Sequence, residues 1–166
     1  MATEQITEQI LVVAIEDSST VECVGPEAAR IAAEHHSTRL LVLHVLDPHP
    51  LSGAAIAMSG YYMPLEESPE DGKALLERTQ AAILAEFARL QVVSPTIELL
   101  VGHGEPAHAI EQVITHYGAK EVVLGARHRH ALGKLVYTDV RAHLHCLDMA
   151  HVHVAPLKES VAGSPH

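Results

Sequence analysis

Aromatic side chains are scarce in this chain: Trp is absent, Phe occurs once, and aromatics make up 3% of 166 residues. The core must therefore be aliphatic, and no aromatic-basic module for nucleic acid is available. Positive charge is also short, with 11 Lys and Arg against 21 Asp and Glu for a formal net charge of −10. That balance excludes non-specific binding to nucleic acid or to anionic membranes, both of which need a basic surface. The only cysteines, Cys23 and Cys146, lie far apart without a CxxC pair, so neither a disulfide framework nor a redox couple is indicated. They read as small core residues, and a reducing cytoplasm is the expected location. No apolar run approaches the ~20 residues of a membrane span, and the start MATEQITEQ is polar and acidic. The mature chain is expected to be the whole chain.

What is present is a composition of 48% hydrophobic and 19% charged residues, that of a single globular domain. One domain is expected over 1–166, with a core of about 8–157 and a flexible tail at 158–166. Apolar runs alternate with helical periods. Ile10 to Ile15 (ILVVAI) is short, continuous and β-branched, as in a parallel strand buried on both faces. Ser18 and Ser19 can cap a following helix that carries Ala28, Ile31 and Ala32 on one face, with Gly25-Pro26 in its first turn. Leu40 to Val45 is a second strand. Residues 48–68 form a long irregular connection, and Leu76, Ile83, Phe87 and Leu90 mark a helix from about Ser68 to Leu90.

Thr96 to Val101 is a third strand, Pro106 to Tyr117 a helix stopped by Gly118, and Glu121 to Leu124 a fourth strand. A last helix from about Thr138 to Asp148 precedes a short fifth strand, His151 to Ala155. Strands alternating with crossover helices make an α/β fold with an open parallel sheet, and such sheets bind ligands beyond the carboxyl ends of the strands where their order reverses. If the first strand lies beside the fourth, those ends carry Glu16, Val45 and Gly125. The segment GARHRHALGKLVYTDV, from Gly125 to Val140, then falls in the crevice as a strand-to-helix loop, where phosphates usually dock.

From ILVVAIEDSS through LLVLHVLDP and GHGEPAHAI to EVVLGARHRHALGKLVYTDV and HVHVAPL, the order and spacing of these pieces resemble the universal stress proteins. The resemblance implies a five-stranded, flavodoxin-like sheet of order 3-2-1-4-5 with helices on both faces. It also implies a homodimer formed through the last strand, His151 to Ala155, and a role in stress survival. In the nucleotide-binding branch of that family, ATP or AMP lies between the ends of the first two strands and a loop of pattern G-x2-G-x9-G-[ST]. Here Gly125 matches the first glycine and Val45 the residue whose backbone meets the adenine. His128 stands where the second glycine belongs, Thr138-Asp139 replaces the final pair, and Glu16 replaces an aspartate. The chain thus resembles the type that lacks the ATP-binding loop, typified by universal stress protein A.

Physical chemistry points the same way. A phosphate cradle needs backbone N–H groups in close approach, often at positive φ, and histidine at 128 obstructs both. A carboxylate at Asp139, in the first turn of the last helix, would use the N–H groups and dipole field that a phosphate needs, and would repel it by roughly 1 kcal/mol or more at contact. Against this, Arg127, Arg129 and Lys134 supply positive charge suited to phosphate recognition. The same segment is no Walker A loop, because seven residues separate Gly125 from Gly133 and Leu135 follows the lysine.

Of the 14 histidines, ten fall in candidate clusters: His35-His36, His103 with His108, His128 with His130, and His143, His145, His151 and His153, with Cys146, toward the C-terminus. None matches HExxH or a Cys/His zinc spacing. His143 and His145 point about 200° apart on a helix, whereas His151 and His153 share a face of a strand. The latter two are weak candidates for a transition metal or a pH-sensitive interface, and no metal is expected. No GxSxG elbow is present, and Glu16 with Asp17 reads as helix-capping acid before it reads as a catalytic pair. The expectation is a cytoplasmic, non-enzymatic stress protein that binds no cofactor and acts through dimerisation and contacts with an unidentified protein, with no nucleic acid or membrane partner. The alternatives are an ATP- or AMP-binding sensor using loop 125–134 and a weak nucleotide phosphohydrolase.

Overall fold

The computed structural model describes residues 7–16, 18, 20–46, 68–125, 140–148 and 150–156. Five strands, β1 (Ile10–Ile15), β2 (Arg39–Leu46), β3 (Thr96–His103), β4 (Glu121–Gly125) and β5 (His151–Ala155), form one parallel sheet in the order β3-β2-β1-β4-β5. Among the described residues four helices, α1 (Val21–Glu34), α2 (Pro69–Leu90), α3 (Pro106–Tyr117) and α4 (Val140–Leu147), alternate with them. The flavodoxin-like strand order that the family resemblance implies is the one observed. No helix among the described residues is long and apolar enough to cross a membrane. The long connection before Ser68 and the tail after Pro156 lie outside the described residues.

β1 is central because its side chains can be buried on both faces. Leu11, Val12 and Val13 are wholly inaccessible, and burying each such side chain contributes about 1.5–3 kcal/mol. Leu11 and Val13 join α1 and α2 in one core with Ile31, Leu76, Ile83 and Phe87. Val12 joins α3 and α4 in the other, with Leu41, Ile110, Val122 and Leu144. Both cores are aliphatic apart from Phe87, as the composition requires.

β2 extends one residue beyond the expected run at each end and β4 one residue at its end, and two further differences have physical reasons. α1 starts at Val21 behind an N-cap at Thr20 that makes no side-chain cap hydrogen bond, so Gly25-Pro26 falls in the second turn and not the first. Packing overrides the proline signal there: Gly25 meets α2 so closely that a Cβ would lie 2.7 Å from Ala82 Cβ. β3 runs two residues further than its apolar stretch, to His103, because the full length of β2 supplies hydrogen-bond partners through Leu46↔His103. α2 follows its signals closely, with Ser68 Oγ accepting from the Asp71 amide at 3.1 Å and Pro69 in the first turn.

On the α3 face, the edge strand is tied down by polar contacts. Arg39 donates to Glu98 on the neighbouring strand, and its guanidinium lies 5.1 Å from the centre of the Tyr117 ring. The Tyr117 hydroxyl donates to the same carboxylate at 3.4 Å.

Candidate functional site

The parallel register brings three of the expected crevice residues to one level. β1 pairs Ile15 with His44 and Ala14 with Leu124, so Glu16, Val45 and Gly125 come together at the carboxyl ends of β1, β2 and β4. This is where the strand order reverses, since β1 feeds β2 and β3 on one side and β4 and β5 lie on the other. Glu16 is exposed there, while Val45 and Gly125 are half-buried.

The floor of the crevice is closed by packing. His44 is 2% exposed, and its Nδ1 meets the Ile15 carbonyl oxygen at 2.9 Å. As donor to that carbonyl, Nδ1 carries the proton and fixes the ring between β1 and β2. Gly72 in the first turn of α2 leaves room for His44 and Leu46, whose side chains a Cβ would meet at 3.3 and 3.0 Å. Gly125 has the same role on the other side. A Cβ there would lie 3.0 Å from Thr20 Cγ2 and 3.2 Å from Val24 Cγ2, so the missing side chain lets the start of α1 settle on the end of β4. Glycine at this position is used for helix-to-strand packing.

The other residues singled out in the loop, Arg127, His128, Arg129, Lys134, Thr138 and Asp139, lie outside the described residues, as does Asp17. α4 begins directly after them at Val140. A cleft of about 700 Å³ lies elsewhere, between β3 and α3, lined by Leu43, Leu100, Gly102, Val113 and Tyr117.

The histidines sort differently from their order in the sequence. His151 and His153 do share a face of β5, with ring centres 4.6 Å apart. His153 also reaches β4, where its Nε2 is 2.6 Å from Glu121 Oε2, and the other oxygen of that carboxylate is 3.6 Å from His35 Nδ1. His35 is the C-cap of α1. Sequence reasoning missed Glu121 and paired His35 with His36. The available signal was the register, because Glu121 and His151 open adjacent strands and side chains recur every second residue. On the opposite face, His143 Nε2 lies 2.9 Å from Glu111 Oε2 and ties α4 to α3. This contact holds the Glu111 carboxyl below its ordinary range. Cys23 is half-buried against the α1 core, as expected for a small packing residue.

The model of the universal stress protein family matches residues 8–145. The chain belongs to the universal stress protein family. Among solved structures, a universal stress protein in complex with cAMP is similar over 91% of this chain and 98% of its own, with a TM-score of 0.62 and 18% identity. The Archaeoglobus fulgidus universal stress protein in complex with dAMP gives a TM-score of 0.58 at 18% identity, over 91% of this chain and 99% of its own. An Arabidopsis thaliana universal stress protein family member with AMP bound gives 0.52 at 21%, over 94% and 97%. Likeness at these identities establishes the fold. No curated protein sequence matches the chain.

Proposed function

We propose that this universal stress protein acts in stress adaptation without binding ATP, as a cytoplasmic homodimer joined through β5 and working through contacts with another protein. The observation that carries the reading is Gly125. It matches the first glycine of the nucleotide loop, yet the space beside it belongs to Thr20 and Val24. Packing alone accounts for a glycine at this position, so Gly125 does not by itself argue for a phosphate cradle. The sequence adds His128 in place of glycine and Asp139 where a phosphate would need free N–H groups. β5 supports the dimer, because among the described residues it pairs only with β4, along one side, and the other backbone edge could take a second copy. No catalytic role belongs to this reading.

A second reading, a sensor for an adenine nucleotide, draws on the structural neighbours that hold cAMP, dAMP and AMP. In it Arg127, Arg129 and Lys134 replace the missing backbone donors. One experiment separates the two. Protein purified without added nucleotide is denatured, any released small molecule is identified by mass spectrometry, and ATP and AMP are titrated calorimetrically. The expected result is no co-purified nucleotide and no binding tighter than ~10 μM, about −7 kcal/mol. Tighter binding that is lost in Arg127→Ala establishes the sensor instead. Sedimentation equilibrium tests the dimer, which should have the mass of two chains of 17.9 kDa.

A further inference from the structure

At the end of the sheet away from the crevice, three elements bring two imidazoles and a carboxylate together. His35 comes from the C-cap of α1, Glu121 from the first residue of β4 and His153 from the middle of β5. One ligand atom from each lies within 4.8 Å of the other two. The Glu121 carboxylate sits between the rings, 2.6 Å from His153 Nε2 and 3.6 Å from His35 Nδ1, and the ring centres are 5.7 Å apart.

We propose that His35, Glu121 and His153 bind a divalent first-row transition-metal ion of the zinc type, which staples the end of α1 to β4 and β5. Two histidines and one glutamate make a ligand set that zinc accepts, with water in the fourth position. Mixed imidazole and carboxylate donors favour such ions over magnesium and calcium, which take oxygen ligands. Ligand atoms around a tetrahedral zinc ion are separated by roughly 3.4 Å, given bond lengths near 2.1 Å. The His35 to Glu121 pair is already at that spacing, at 3.6 Å. The widest separation, within 4.8 Å, must close by up to about 1.4 Å and the 2.6 Å His153–Glu121 contact must open by about 0.8 Å, and the His35 side chain, 40% exposed at a helix end, has freedom to move. Glu121 and His153 are better buried, at 19% and 18%, and form the fixed part of the site. The ion displaces the proton from His153 Nε2, Glu121 offsets one of its two charges, and the fourth position stays open to water. Glu27 faces the site from α1, with its own carboxylate held by Arg30 at 2.6 Å.

The test uses the full chain without an affinity tag, titrated with Co²⁺ and followed by visible absorption. One saturable equivalent with four-coordinate ligand-field bands is expected, displaced by one equivalent of Zn²⁺. His35→Ala, Glu121→Gln and His153→Ala should each weaken binding by at least about tenfold, since loss of a supporting contact alone costs that much. His116→Ala, on the exposed face of α3, should leave it unchanged. His35 is exposed enough that its removal leaves the fold intact, so the assignment does not depend on the stability of the other variants. Absence of saturable Co²⁺ bands, or unchanged binding in His35→Ala and His153→Ala, overturns the site.

Discussion

Gly25 in α1 and Ala82 in α2 touch so closely that a Cβ built on the glycine lies 2.7 Å from the alanine Cβ. That contact lets the two helices pack over one face of the sheet, and it explains a glycine next to Pro26 inside a helix. Alanine at 25 gains about 1 kcal/mol of helix propensity. It also overpacks a contact with no flexible end to yield, which costs about 1–3 kcal/mol. Gly25→Ala should therefore lose about 1 kcal/mol net in urea unfolding. In a cycle with Ala82→Gly, the double variant should be more stable than the sum of the singles by about 1–3 kcal/mol. Additive single effects would mean that the helices separate at no cost.

Gly125 makes a comparable prediction at the crevice. A Cβ there approaches Thr20 Cβ at 3.1 Å and Thr20 Cγ2 at 3.0 Å, both on a side chain that is 4% exposed. Gly125→Ala should lower stability by about 1 kcal/mol, or about 2–4 °C in melting temperature for a chain of this size. Thr20→Ser removes the nearer methyl and should restore most of the loss. If Gly125→Ala instead leaves the melting temperature alone and changes nucleotide titration, the glycine serves a ligand and the packing account fails.

The start of α2 follows from a single side chain. Ser68 Oγ accepts the Asp71 amide at 3.1 Å and donates to the Asp71 carboxylate at 2.9 Å, so one residue satisfies a free N–H and orients an acid at the positive end of the helix. Ser68→Ala should cost about 1 kcal/mol, and Ser68→Asn much less. Equal losses in both, measured by thermal unfolding, would show that the cap hydrogen bond contributes nothing.

The fold was legible because its signals are local and agree with one another. β1 and β5 begin and end where their apolar runs do, and Pro106, Gly118 and Ser68 mark helix ends by backbone chemistry alone. The start of α1 was misplaced because Gly25 answers to Ala82, 57 positions away in sequence, and no local rule carries that information. The crevice was legible as a place, since strand order puts Glu16, Val45 and Gly125 together. The packing of Gly125 against Thr20 and Val24 was not, because a glycine that admits a phosphate and one that admits a threonine look alike in a motif. The group at His35, Glu121 and His153 stayed hidden for the same reason as the Gly25 contact: its members come from three elements that only the register aligns.

Acid should expose one pair on α1. Arg30 donates to both oxygens of Glu27, at 2.6 and 3.1 Å, and this contact, ahead of the opposing effect of burial, holds the Glu27 carboxyl below its ordinary range. A carboxyl depressed in the folded state stabilises the protein above its unfolded pKa of about 4.3, and that contribution disappears as pH falls through the lower folded value. Arg30 is 53% exposed and also holds Glu34 at 2.7 Å, so the effect is small and screened by salt. Glu27→Gln should thus be less stable than the parent at pH 7. The gap between their urea midpoints should shrink below about pH 4.3, and 1 M salt should shrink it at pH 7 as well. A gap that stays constant from pH 7 to pH 3 would assign the effect of Glu27 to packing and not to its charge.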